Sequence, residues 1–339
     1  MKFAWKERLR LIRYFTLKKT FNALKLLSSY GVSILLKRPW IKGLPISIAY
    51  EPTTSCNLQC PECPSGLRSF TRPTGNADLI NFKKLIDQVK EHVVYLTLYF
   101  QGEPYLNPAL FKMINYAKKA NIYSTTSTNA HFLSKENCRE TVLSGLDKII
   151  ISLDGISVES YKIYRKGGEL EKVIQGVKTL VDMKKELNSK TPFIIIQTIA
   201  FSHNEHEIEE IKLLKDKWNV DDVSIKTAQV YKPEDSELLP KDPALSRYKF
   251  QDGKYILEEE LPNKCWRLWS SPVITQDGQL LPCCFDKDAS YTMGNTITEK
   301  NFSDIWTSAK YNNFRGQLLK DRSAIDICKN CSEGVKVWN

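Results

Sequence analysis

Ser55-Cys56-Asn57-Leu58-Gln59-Cys60-Pro61-Glu62-Cys63-Pro64 is the stretch from which the rest of the chain is read. Its three cysteines stand at C-x3-C-x2-C spacing, directly after an apolar run over residues 46–51. A loop this tight can wrap its thiolates around one face of an iron–sulfur cube, and Pro61 and Pro64 keep it from closing into a helix. The number of ligands matters as much as their spacing. A structural zinc site normally closes with four ligands, and a cube held by four cysteines has no open iron. Three thiolates leave one iron free to bind another molecule. A redox-inert metal knuckle is the alternative reading of the same residues.

Downstream of residue 45 the chain alternates between strand and helix patterns. Strands are expected over 46–51, 93–99, 122–127, 148–153, 193–201 and 223–226, with helices over 82–89, 109–118, 135–143, 170–187 and 207–217. Six strands joined by crossovers imply a parallel sheet with right-handed connections, too few for a closed eight-stranded barrel. A partial (β/α)6 barrel fits, and its site should form at the C-terminal strand ends. Polar residues stand there: Gln101-Gly102-Glu103-Pro104 after the second strand, Ser127-Thr128-Asn129 after the third, and Ser152-Leu153-Asp154-Gly155 with Arg165 after the fourth. Gln197, Thr198, Lys226 and Thr227 close the fifth and sixth strands, where either could face a ligand.

This combination resembles the radical S-adenosylmethionine (radical SAM) enzymes. The cysteine loop matches their signature, except that Glu62 stands where the family often has an aromatic residue. Gly102-Glu103-Pro104 resembles the family's G-G-E-P motif with Gln101 in place of the first glycine. The resemblance implies a 4Fe-4S cluster on Cys56, Cys60 and Cys63 whose open iron chelates S-adenosylmethionine. It implies reductive cleavage to a 5′-deoxyadenosyl radical that abstracts hydrogen from a substrate. It further implies that Gly102 lets the backbone approach the ligand, and that Glu103 accepts from the methionine ammonium. Ser152 and Asp154 would line the ribose and methionine side, and Arg165 would reach the carboxylate. Ser127 and Asn129 match the family's polar strand end, with plain strand capping equally open.

The remaining cysteines gather near the C-terminus. Cys265 is followed by Gly278-x4-Cys283, adjacent Cys284, and Cys328-x2-Cys331, with Asp277-Gly278 supplying a hairpin turn. This resembles the SPASM extension of radical SAM enzymes in its shortened, twitch-like form. It implies one auxiliary 4Fe-4S cluster on Cys265, Cys283, Cys328 and Cys331, with Cys284 as a substitute for Cys283. Zinc on the same four thiolates is the alternative. Cys138, on an exposed-looking helix, is expected to be structural or a free thiol, and a helix over 304–319 to pack the extension on the barrel. None of the four histidines stands in an obvious catalytic position, and His203 and His206 are expected to be solvated.

Four segments follow: a basic helical arm (1–44), the partial barrel (45–230), an acidic, proline-bearing bridge (231–262) and the auxiliary-cluster domain (263–339). The chain has 339 residues, 42% hydrophobic and 26% charged, ordinary for a globular protein. Its net charge of +10 is not spread evenly. Residues 1–42 hold eleven Lys and Arg against the single acid Glu7, so the remainder has 49 − 11 = 38 basic and 39 − 1 = 38 acidic residues. A neutral catalytic body argues against a nucleic-acid partner. The arm alternates apolar and basic residues, with a five-residue step from Ile12 to Leu17, and its apolar stretch 21–36 is short for a membrane span. It is expected either to lie in an anionic membrane surface or to pack on the barrel or a partner. Nine cysteines without a secretory leader pattern point to metal ligands in a reducing, cytoplasmic compartment, peripheral to the inner membrane if the arm binds lipid.

The expected function is a radical SAM oxidoreductase in which the auxiliary cluster takes an electron from the substrate radical. The substrate would be a small hydroxylated, carbohydrate-like molecule or a peptide side chain, and the electron would come from an external flavodoxin- or ferredoxin-like reductant. A peptide-modifying maturase is the alternative within the class. A non-catalytic iron–sulfur carrier or scaffold is the alternative outside it.

Overall fold

The computed structural model describes residues 5–230, 237–258, 261–299, 301–335 and 337. Lys2 of the arm and Pro233, Glu259 and Glu260 of the bridge lie outside the described residues. Two helices open the chain, α1 (Trp5–Ile12) and α2 (Leu17–Leu36). The barrel strands are β1 (Ser47–Tyr50), β2 (Tyr95–Thr97), β3 (Tyr123–Thr128), β4 (Lys148–Ser152), β5 (Phe193–Ala200) and β6 (Asp222–Thr227). Each pairs in parallel with the next, as the alternating sequence pattern requires. The connecting helices are α3 (Pro64–Leu67), which starts at Pro64 directly after Cys63 because a proline suits a helix's first position rather than preventing the helix, α4 (Leu79–Val89), α5 (Leu110–Lys119), α6 (Lys135–Leu143), α7 (Val158–Tyr164), α8 (Leu170–Glu186), α9 (Ile208–Lys212) and α10 (Leu214–Lys217). The single helix expected over 207–217 is broken at Leu213, whose N–H bonds the Glu210 carbonyl three residues back.

Pleating sorts the strand residues into two sets. Ile48, Leu96, Leu98, Ile149, Ile151, Ile194 and Ile196 belong to the main core with the helices. Their neighbours therefore face the barrel interior, and the register lines them up in layers. Ser47, Tyr95 and Tyr123 align at the bottom, and Lys148 aligns with Thr125 and Phe193 in the next layer. At the top Ser152 aligns with Gln197, and Ile199 with Lys226. The interior is aromatic and charged at its floor and polar at its mouth.

The arm closes that floor. The five-residue step between Ile12 and Leu17 is where the helix breaks: the Thr16 hydroxyl accepts from the Lys19 N–H and caps α2. Glu7, the arm's one acid, is fully buried and accepts from Lys148 Nζ at 2.6 Å and from the Tyr123 hydroxyl at 3.1 Å. Tyr14 and Lys118 both donate to the Asp147 carboxylate beside it. The arm thus packs on the barrel. Removing one partner of a buried ion pair strands the other, so Lys148→Met is expected to cost about 3 kcal/mol in urea unfolding. Adding Glu7→Gln in the same chain should recover part of that loss.

The bridge carries an antiparallel hairpin, β7 (Tyr248–Gln251) with β8 (Lys254–Leu257). The C-terminal segment holds α11 (Arg267–Ser270), the hairpin strands β9 (Val273–Ile274) and β10 (Gln279–Leu281), β11 (Gly294–Asn295), α12 (Phe302–Trp306), α13 (Ala309–Lys320) and α14 (Asp326–Lys329). The helix expected over 304–319 is two, because the Ser308 hydroxyl caps the Tyr311 N–H. β9 pairs in parallel with β1, so the hairpin continues the barrel sheet to nine strands. A buried Arg72–Glu51 pair, at 2.6 and 2.8 Å, with the Gln276 N–H on the same carboxylate at 3.1 Å, locks that junction.

Candidate functional site

The cysteine loop hangs over the mouth from the C-terminal end of β1. Cys60 is buried and Cys56 and Cys63 are half-buried. Leu58 is buried in one cluster with Tyr164, Phe201, Val230 and Tyr248, which anchors the loop between its thiols. Donors surround the sulfurs: the Leu58 N–H lies 3.4 Å from Cys56 Sγ, Asn129 Nδ2 lies 3.9 Å from it, and Arg165 Nη1 lies 3.9 Å from Cys60 Sγ. Burial pushes the Cys56 thiol up to about 11, with the neighbouring Glu103, Cys63 and Cys60 adding to it. Such thiols ionise against a metal's charge.

Gly102 and Glu103 strap β2 to this loop. Gly102 has φ +73°, and a Cβ there would lie 2.4 Å from the Thr53 carbonyl oxygen and 2.8 Å from that of Ser55. The close approach expected of Gly102 is therefore to the backbone leading into the cysteines. Glu103 is buried, and its carboxylate accepts from the Asn129 N–H at 2.8 Å and the Tyr105 N–H at 3.3 Å. Burial pushes its carboxyl up to about 7, against the lowering effect of those donors. The folded chain then holds a proton that the unfolded chain, near 4.5, releases earlier. Stability from this group is full below pH 4.5 and falls as pH rises to about 7, by about 3 kcal/mol. Glu103→Gln should remove that slope from the metal-free chain, read as unfolding midpoints across the window.

Asn129 links the two, its Nδ2 also donating to Asn57 Oδ1 at 2.8 Å. Ser127 and Ser152 face each other across β3 and β4, hydroxyls 3.2 Å apart. Arg165 and Asp154 are joined to one another, at 2.7 Å from Nε and 2.6 Å from Nη2, and the second Asp154 oxygen accepts from the Ile199 N–H at 2.7 Å. The structure thus pairs the two side chains that the resemblance assigned to separate parts of a ligand. Of the strand ends left open, Gln197 and Lys226 face the interior by register. Thr198 turns outward to the Leu153 carbonyl and Thr227 to Arg247.

At the second cysteine group, Cys265, Cys283, Cys328 and Cys331 are buried and Cys284 is half-buried against Arg267, with 3.8 Å from Nη1 to Sγ. Burial first, then Cys284, Cys331, Cys328 and Cys265, push the Cys283 thiol well up; burial takes Cys328 and Cys331 to about 12. The five are within electrostatic reach of one another. Four buried thiols with a fifth beside them are a donor set that fits a cube, whose irons each take one thiolate. The same fit holds at the mouth, where Cys56, Cys60 and Cys63 would hold the other cube.

Several residues here escape sequence reading. Arg322 is buried, and its guanidinium donates to the carbonyls of Lys264 at 2.9 Å, Cys328 at 3.2 Å, Glu333 at 3.3 Å and Cys331. Its charge offsets part of the rise at Cys265, Cys328 and Cys331. Gly334 lies so close that a Cβ would be 2.5 Å from Cys265 Sγ. His203, expected in solvent, is stacked on Phe201 at 5.3 Å with both ring nitrogens buried. Cys138 is buried beneath α8 and lies away from both groups.

Comparison with known proteins agrees with this geometry. Residues 50–214 match the family model of the Radical SAM superfamily, and residues 265–332 match SPASM, an iron–sulfur cluster-binding domain. The chain is 25% identical over 311 residues to the tungsten-containing aldehyde ferredoxin oxidoreductase cofactor-modifying protein of Pyrococcus furiosus, covering 83% of this chain and 86% of that one. Among solved structures it resembles BtrN in complex with AdoMet and 2-DOIA, at TM-score 0.52 and 21% identity over 86% of this chain and 95% of that one. It also resembles Streptococcus suis SuiB bound to the precursor peptide SuiA, at TM-score 0.62 and 14% identity over 88% and 73%. The family brings with it S-adenosylmethionine, a 4Fe-4S cluster and auxiliary iron–sulfur clusters. By these two domains and their order, the chain belongs to the radical SAM superfamily, with a C-terminal SPASM domain.

Proposed function

We propose that this chain is a radical SAM oxidoreductase that removes two electrons and two protons' worth of hydrogen from a polar substrate held in the barrel mouth. One observation carries the reading: a single segment joins the two cysteine groups. Ala228 and Val230, just past β6, share one buried cluster with Leu58 and Cys60, while the Val230 carbonyl accepts from Asn330 Nδ2 at 3.0 Å, between Cys328 and Cys331. Gln229 Nε2 donates to the Asn330 carbonyl at 2.6 Å, and Arg247 Nη1 bridges Gln229 to Ser332 at 2.9 Å on each side. Residues 228–230 therefore lie next to the loops that carry both groups.

When loaded, the two clusters would supply one electron to S-adenosylmethionine and take one back. Overall, S-adenosylmethionine and the reduced substrate give methionine, 5′-deoxyadenosine, the oxidised substrate and one proton, with no net electron consumed. An external one-electron reductant of the flavodoxin or ferredoxin kind primes the first turnover. Within the chain, Cys56, Cys60 and Cys63 would bind one cluster and Cys265, Cys283, Cys328 and Cys331 the other, with Cys284 beside Arg267 at the rim. Gly102, Glu103, Asn129, Ser127, Ser152 and the Asp154–Arg165 pair would shape the S-adenosylmethionine side. Gln197 and Lys226 would face the substrate.

The polar interior favours a small hydroxylated substrate. A peptide side chain is the second reading, favoured by the likeness to SuiB, which was crystallised with a precursor peptide. The test is anaerobic: reduce the reconstituted protein with dithionite, add S-adenosylmethionine and quantify 5′-deoxyadenosine. Product that disappears in Cys56→Ala supports the reading. A protein loaded with both clusters that forms none, alone or with candidate polar small molecules and peptides, would instead be an iron–sulfur carrier or scaffold.

A further inference from the structure

We propose that the outer face of α1 and α2 is a docking surface for an anionic lipid bilayer, on which the protein lies peripherally. The argument starts from α2, whose amphipathicity is inverted. Its buried face is largely polar: Lys19 donates to the Asn121 carbonyl, Asn22 exchanges two 2.8 Å hydrogen bonds with the Leu44 backbone, and Ser29 and Ser33 bond the backbone of Trp40 and Lys42. Those contacts hold the helix to the barrel. Its opposite face carries Leu17, Phe21, Leu24 and Leu35, which recur at helical spacing and are 81%, 62%, 56% and 81% exposed. Leu9 and Ile12 of α1 are exposed as well.

Isolated exposed leucines need no explanation, but a row along one helix face does, here Leu17, Phe21 and Leu24 with Leu35 three turns on past Ser28 and Gly31. Charge selects the occupant. Between residues 7 and 42 the one acid, Glu7, is buried on Lys148 beneath the barrel, so every charged side chain the arm exposes is basic: Arg8, Arg13, Lys18, Lys25, Lys37, Arg38 and Lys42. Lys18 reaches Glu91 at 3.2 Å, across a pair open to solvent on both sides. A second copy docked about a two-fold axis would set this basic field against itself. An apolar row flanked by lysine and arginine matches the headgroup region of an anionic leaflet, where such a helix lies in the plane. Among the described residues no helix is long and apolar enough to cross a membrane, which fits an in-plane placement.

The experiment uses the full, reconstituted chain with vesicles of phosphatidylglycerol mixed with phosphatidylcholine, against phosphatidylcholine alone. Co-sedimentation is expected with the anionic vesicles at low salt, weakening as salt rises. The charge variant Lys25→Gln, Lys37→Gln, Arg38→Gln should weaken partitioning by about fivefold for each residue changed. The apolar variant Phe21→Ser, Leu24→Ser should abolish it while keeping iron content and circular dichroism unchanged. Absent binding, or equal binding to both vesicle types, overturns the proposal. So does a wild-type dimer in sedimentation velocity that the apolar variant converts to monomer, since that assigns the face to a second copy. Vesicle binding is read without turnover, so it stands or fails apart from the proposed chemistry.

Discussion

Arg322→Leu is expected to empty the C-terminal cysteine group and to lower the stability of the chain by about 4 kcal/mol. The guanidinium is 2% exposed and has no carboxylate partner among its hydrogen bonds. It spans four backbone carbonyls from the segments that present Cys265, Cys328 and Cys331. Leucine would fill much of the volume but leave those oxygens buried and unsatisfied, each at about 1–3 kcal/mol before relaxation. The positive charge that offsets thiolate formation at the three cysteines would go with it, so ligands would be both displaced and harder to ionise. Iron should fall from about eight to about four per chain, and the remaining cluster should be the one at the barrel mouth. Arg322→Lys retains the charge without the fork and should fall between. Full iron loading with an unchanged unfolding midpoint in Arg322→Leu would mean that the loops hold their shape without it.

Arg322 also shows where the sequence stops being informative. The cysteine loop declares itself, because C-x3-C-x2-C puts three thiols within eight residues, whereas Cys265 and Cys283 stand far from Cys328-x2-Cys331 along the chain. The strands declare themselves through runs such as Lys148–Ser152, where Ile149 and Ile151 face the helices and Lys148, Ile150 and Ser152 the interior. A buried arginine serving carbonyls leaves no such trace, since its acceptors are backbone groups that any residue carries. Glu7 is similar. Within the arm it reads as a minority charge on a basic helix, and only the fold supplies Lys148 and Tyr123 to bury it against. The position of Arg165 and Asp154 after β4 is legible in the sequence, but not their mutual pairing, which depends on α7 turning back over the strand end. The helix breaks at Leu213 and Ser308 were missed because apolar periodicity continues across them.

Gly102→Ala is expected to lower 5′-deoxyadenosine formation by about 100-fold or more while costing about 2–3 kcal/mol of stability. Two effects combine there. The left-handed backbone at φ +73° costs any residue with a Cβ about 1 kcal/mol. The added methyl would also collide with the carbonyl oxygens of Thr53 and Ser55, neither of which can move independently of Cys56. Relief requires β2's end and the cysteine loop to separate, stretching the Glu103 N–H to Ser55 carbonyl bond of 2.7 Å and the Gly102 N–H to Ser65 hydroxyl bond of 2.8 Å. Glu103 and Cys56 would then shift relative to each other, which is where positioning matters most. Gly253→Ala separates the two effects. That glycine has φ +79° in the turn between β7 and β8, with no atom within 4 Å of an added Cβ. It should lose only the conformational cost and keep full activity and iron content. If the two variants lose activity alike, strain alone explains the effect and the strap between β2 and the cysteine loop is not what places the site. If Gly102→Ala alone loses it, the Gly-Glu-Pro turn acts through the cysteine loop's backbone, not only through whatever ligand it meets.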